Sequence, residues 1–141
     1  MKTINRNELN PFTRGYIAAM LFSTNDESDE QGGEPLDSNY DIEDINPDSL
    51  AKIIEDCNKF IEHNEHRFID APDENCSDGT WTAEESAGYD FWMTRVGHGV
   101  GFWESERKEK YGKENAEAMD EYSRKAGEVW PIVGDDNKIY V

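Results

Sequence analysis

Two stretches of the chain repeat apolar positions at helical spacing directly behind an Asn-Pro pair. In the first, Phe12, Tyr16, Ala19 and Met20, joined by Ile17 and Leu21, follow Asn10-Pro11. An asparagine side chain caps a helix start, and proline suits the first helical position because its missing N–H has no partner to lose there. The spacing predicts an amphipathic helix over 11–22. In the second, Leu50, Ile53, Ile54, Cys57 and Ile61 follow Asn46-Pro47, which predicts a helix over 47–63. Asp48 falls in its first turn, where the helix dipole favours an anion.

The pattern changes at Tyr89. The run from Tyr89 to Val96 is dense in aromatic and β-favouring residues and predicts a strand. Gly97-His98-Gly99 then forms the turn and Val100 to Trp103 the returning strand. Glu104 to Lys125 is charged and helix-favouring, with Gly112 as a dividing point and Ala118, Met119 and Tyr122 as a narrow apolar stripe. Gly127 is a natural helix stop. The short apolar runs Trp130 to Val133 and Lys138 to Val141 flank Gly134-Asp135-Asp136-Asn137 and predict a second hairpin. The remaining segments are polar: a loose leader over 1–9, an acidic loop over 23–46, and a loop from Asp70 to Glu85 that Trp81 anchors as an aromatic lid. The expected architecture is a single acidic α+β domain over 1–141. In it a small antiparallel sheet of two hairpins packs against about three helices on one face.

Composition bears out one domain and adds charge. The 141 residues suffice for a core without disulfide help, and an aromatic share of 11% offsets an apolar share of only 35%. The 32 acids exceed the 14 bases to leave a net charge of -18. A chain so negative is repelled by nucleic acid and by anionic membranes and suits cationic protein surfaces. The alternative is that the charge serves solubility alone. With no apolar run of membrane-spanning length and no signal-peptide core, the expected location is the cytoplasm, where a Cys57–Cys76 disulfide is not expected. Cys57 reads as a small core residue, and Cys76 falls in a polar loop.

The charge is unevenly spread. Asp26, Glu27, Asp29, Glu30, Glu34, Asp37, Asp41, Glu43, Asp44 and Asp48 follow one another with no Lys or Arg between Arg14 and Lys52. The first nine are the expected partner-binding residues. Leu36, Tyr40, Ile42 and Ile45 are placed to pin the second half of this segment to the body.

The stretch most suggestive of chemistry is Asp90-Phe91-Trp92-Met93-Thr94-Arg95-Val96-Gly97-His98-Gly99-Val100-Gly101-Phe102-Trp103. This order, followed by the Gly134-Asp135-Asp136 turn, resembles a family of small, mostly uncharacterised bacteriophage proteins. The helix around Tyr16 and the helix containing Asp56-Cys57 are similar to that family too. The resemblance implies a phage origin and a place in the infected host cell, and it implies no established activity. His98 in a glycine-flanked turn is open to several roles: a structural hydrogen-bonder, a general base or a metal ligand. As a base it would draw on Asp90 and Arg95, in a small hydrolase-type site. Elsewhere the signals fall short of a site. His63 and His66 with Glu62 and Glu65 lack further ligands of clear spacing. Asp135-Asp136-Asn137 lacks the downstream glutamate of a calcium loop. Gly97-x-Gly99-x-Gly101 opens no helix to hold a phosphate. No metal and no cofactor is expected. The sequence thus points to an acidic phage protein that binds and inhibits a host nucleic-acid-binding or defence protein with a basic surface. DNA mimicry is the suggested means, with no direct nucleic-acid or membrane contact. An accessory phage protein with no inhibitory role is the further alternative.

Overall fold

A computed structural model describes residues 9–26, 34–76, 79–97 and 100–141. Among them are five α-helices: α1 (Pro11–Ser23), α2 (Pro47–Phe68), α3 (Ala83–Val96), α4 (Ser105–Tyr111) and α5 (Lys113–Ala126). Three separate two-stranded antiparallel ladders accompany them: β1 (Asn25–Asp26) with β2 (Glu34–Pro35), β3 (Glu74–Cys76) with β4 (Gly79–Trp81), and β5 (Ile132–Val133) with β6 (Ile139–Tyr140). The fold is α+β and mostly helical. The expected sheet of two hairpins on about three helices is corrected: the ladders share no sheet, and the core is helix on helix.

The Asn-Pro starts behave as expected. The Asn10 side chain accepts from the Thr13 backbone N–H at 2.8 Å, and that of Asn46 from Asp48 and Ser49 at 3.0 and 3.1 Å. The second helix runs past His63 because Asn64 and Phe68 continue the buried face of Leu50, Ile53, Cys57 and Phe60. The Asn64 amide is satisfied there by donating to the Phe60 carbonyl.

The expected strand over Tyr89–Val96 is the second half of α3. Its start is a capping box in Thr82-Ala83-Glu84-Glu85. The Thr82 hydroxyl accepts from the Glu85 N–H, and the Glu85 carboxylate accepts from the Thr82 N–H, both at 3.2 Å. Gly97, at φ 64°, closes the helix in the left-handed conformation that a residue with a Cβ adopts only at a cost. The expected returning strand, Val100–Trp103, is a turn leading into α4. It is held by the Thr94 hydroxyl, which accepts from the Phe102 N–H at 3.0 Å and donates to the Asp90 carbonyl at 2.7 Å. The expected turn residues His98 and Gly99 lie outside the described residues.

Gly112 divides α4 from α5 at φ 91°, and the Gly134–Asn137 turn joins β5 to β6. The segment read as loop over Asp70–Glu85 contains β3, β4 and the start of α3, with the Trp81 ring edge-on to Tyr89 at 5.8 Å. Cys76 lies in β3. Among the described residues no helix is long and apolar enough to cross a membrane.

Helices α1 and α3 meet backbone to backbone. A Cβ on Gly15 would stand 2.0 Å from the Glu85 carbonyl oxygen, and one on Gly88 the same distance from that of Phe12. Around this crossing the rings of Phe12, Phe60 and Phe91 pack with centroids 4.5–6.1 Å apart, and Tyr16, Trp92 and Phe102 complete a buried aromatic core. Burial of several such rings supplies much of the hydrophobic stabilisation of a chain this polar.

Candidate functional site

Asp90 and Arg95 both lie on α3, five residues apart, which places them about 140° apart around the helix axis. Each is bonded into a different network. Asp90 is 1% exposed. Its Oδ1 accepts from Arg107 Nε and Nη2 at 3.1 and 3.0 Å, and its Oδ2 from the Tyr111 hydroxyl at 2.7 Å. Burial pushes the Asp90 carboxyl above the usual carboxylate range, against the pull of the Arg107 charge and the two hydrogen-bond donors. The pair ties α4 to α3.

Arg95 faces the other way. Its Nη1 donates to Asp56 at 2.9 Å and to the Tyr16 hydroxyl oxygen at 3.1 Å. Its Nε donates to the Gly127 carbonyl at 2.7 Å and its Nη2 to that of Ala126 at 3.3 Å, so the guanidinium caps the end of α5. Its flat face lies 5.5 Å from the Phe91 ring centroid. Desolvation at this buried site pushes the Tyr16 hydroxyl far above its ordinary pKa. The structure does not bring Asp90 and Arg95 together, and His98 lies outside the described residues. Among the described residues no group of three His, Cys, Asp or Glu is arranged to hold a metal ion. His63 and His66 are exposed on α2, and Cys57 is a buried thiol that burial holds protonated.

Of the acidic segment, Glu27, Asp29 and Glu30 lie outside the described residues, and Asp26 and Glu34 pair across the β1–β2 ladder. The second half is held down as the apolar spacing predicts: Leu36, Ile42 and Ile45 are buried to 1–3% exposure, and Tyr40 is half-buried. Two 3-10 turns, Leu36–Ser38 and Ile42–Asp44, carry the carboxylates. Asp37, Asp41 and Glu43 are exposed and Asp44 half-buried. Asp41 and Asp44 also shape the second turn. Asp41 accepts from the Ile42 N–H at 2.7 Å, and Asp44 accepts from the Asp41 N–H at 2.8 Å. An open cleft of about 500 Å³ lies between this segment and α1, walled by Asp37, Asp41 and Asp44 with Tyr40, over Ala18 and Leu21.

A second cleft, of about 520 Å³, was not foreseen from the sequence. It lies between the end of α1, the end of α3 and the segment over 128–133. Its lining is largely apolar: Leu36, Trp92, Val96, Val129, Trp130 and Ile132 contribute, and Glu128 supplies a carboxylate. Both clefts are built from segments remote in sequence.

No family model matches the chain, and neither a curated protein nor a solved structure is similar to it.

Proposed function

We propose that the protein is a phage-encoded acidic binding protein that occupies the nucleic-acid-binding surface of a host defence or transcription protein. The observation that carries this reading is the disposition of charge. Several cations on the helices are already paired with carboxylates of the helices: Arg95 with Asp56, Arg107 with Asp90, Arg124 with Asp120, and Lys59 and Lys125 with Glu55 and Glu121. The acidic segment has no base of its own, and its buried Leu36, Ile42 and Ile45 hold Asp37, Asp41 and Glu43 out on short, hydrogen-bonded turns. Carboxylates fixed in this way are an economical substitute for phosphates, because little conformational entropy is lost when a basic groove closes on them. The phage assignment rests on the resemblance of the segment from Asp90 to Trp103, and with it the infected host cell as the location.

The test uses the partner recovered from host lysate at low salt and identified by mass spectrometry. Asp41 and Asp44 have backbone partners, so the clean variant is Asp37→Asn with Glu43→Gln. We expect it to keep the fold and bind more weakly. Binding of the wild type is expected to fall steeply with salt, since the screening length is only ~8 Å at physiological ionic strength, and duplex DNA is expected to compete. Binding indifferent to salt, DNA and both substitutions would show that the charge serves solubility.

A further inference from the structure

Among the described residues four large apolar side chains are well exposed: Phe22 at 57%, Ile69 at 42%, Trp130 at 76% and Ile132 at 62%. Two of them, Trp130 and Ile132, line the second cleft, together with Ser23 and Thr24 at the end of α1. The floor is set by Trp92, whose indole N–H donates to the Ser23 hydroxyl at 2.7 Å. The segment bearing Glu128 and Trp130 belongs to no helix or ladder, yet it is anchored at its start, where Arg95 holds the Ala126 and Gly127 carbonyls. An open apolar groove of this kind is a recognition surface in a protein otherwise so polar.

We infer that this groove anchors the partner by taking an arginine set between apolar side chains of a basic protein. The inference rests on the reading that the partner is cationic. Charge selects the occupant. Among the described residues that line the groove, Glu128 is the only ionisable one, and none is a base. Glu128 and the Trp130 indole together suit a guanidinium, which pairs with a carboxylate and lies over an aromatic face. The arginine stem and its apolar neighbours cover Val96, Val129 and Ile132. A second copy of this chain is disfavoured as the occupant, because each copy carries a net charge of -18.

The experiment titrates the full chain at physiological salt with the peptide acetyl-Lys-Leu-Arg-Leu-Lys-amide, following the Trp130 indole N–H by NMR. Two further peptides replace both leucines with glycine, or the arginine with glutamine. Saturable movement of the Trp130 signal is expected, weakened about tenfold in either control peptide. Glu128→Gln is expected to weaken the parent peptide to a similar degree, as is Trp130→Ala when followed through the backbone amides of 128–133. Asp37→Asn with Glu43→Gln is expected to leave this short peptide's affinity within about twofold. Equal binding of the parent and glycine peptides, with shifts confined to residues 37–44, would overturn the groove and leave the acidic-surface reading standing. Failure of all three peptides to move Trp130, while the recovered partner still binds in a salt-dependent way, would do the same. Sedimentation showing a dimer that Trp130→Ala dissolves would overturn the proposal in favour of self-association.

Discussion

At the scale of single residues, the two glycines of the α1–α3 crossing carry the clearest expectation. A methyl group on Gly15 or Gly88 meets a carbonyl oxygen of the neighbouring helix, and backbone has no rotamer with which to step aside. Gly15→Ala and Gly88→Ala are therefore each expected to cost at least ~1–3 kcal/mol, read as a lower midpoint in urea unfolding. A midpoint unchanged in both variants would mean that the helices are farther apart. Asp90 makes a second prediction, in pH. Its carboxyl titrates above the ordinary range in the fold because burial disfavours its charge. A folded-state pKa above the unfolded one gives a contribution to stability that is complete below the unfolded value and is lost as pH rises through the folded one. Asparagine cannot bind that proton. The stability gap between wild type and Asp90→Asn is thus expected to narrow from acid to neutral pH in parallel urea titrations. A gap that widens would show that Arg107 and Tyr111 outweigh desolvation.

At the scale of elements, α3 is where the sequence misleads. Helix α2 is legible from a cap, a proline and one apolar face, and α1, buried around most of its circumference, from its cap and proline. In α3 Ala83, Ser86, Ala87 and Gly88 are buried as well as every position from Asp90 to Arg95, so no polar stripe marks a helical period. The aromatic and β-branched residues then suggest a strand. The overlooked signal was the Thr82-x-x-Glu85 capping box just upstream. Native-state hydrogen exchange distinguishes the two structures. A helix is expected to protect the consecutive amides from Ala87 to Val96, each bonded within the segment, whereas a two-stranded hairpin would protect alternate ones. Alternate protection would restore the strand. The burial of Leu36, Ile42 and Ile45 was readable from their spacing, as were the split at Gly112 and the β5–β6 hairpin. The partners of Asp90 and Arg95 were not: Arg107, Tyr111, Tyr16 and Asp56 lie far along the chain, and charge pairing across such separations leaves no local pattern.

For the molecule as a whole, salt acts on folding and on binding with opposite signs. The net charge of -18 makes the compact state repel itself, so screening favours folding. The exposed i,i+4 pairs Lys59–Glu55, Arg124–Asp120 and Lys125–Glu121 pull the other way, since salt weakens them. Exposed pairs of this kind contribute little, and three of them are few against 18 unbalanced charges spread over a small body. The melting temperature is therefore expected to rise from low to physiological ionic strength, while affinity for a basic partner falls over the same range. One salt series, followed by thermal unfolding and by titration, reads both. A melting temperature that falls with salt would show that the local ion pairs dominate the electrostatics of the fold. A partner affinity that rises with salt would place the binding energy in apolar contact, with neither the carboxylates of the acidic segment nor that of Glu128 contributing to recognition.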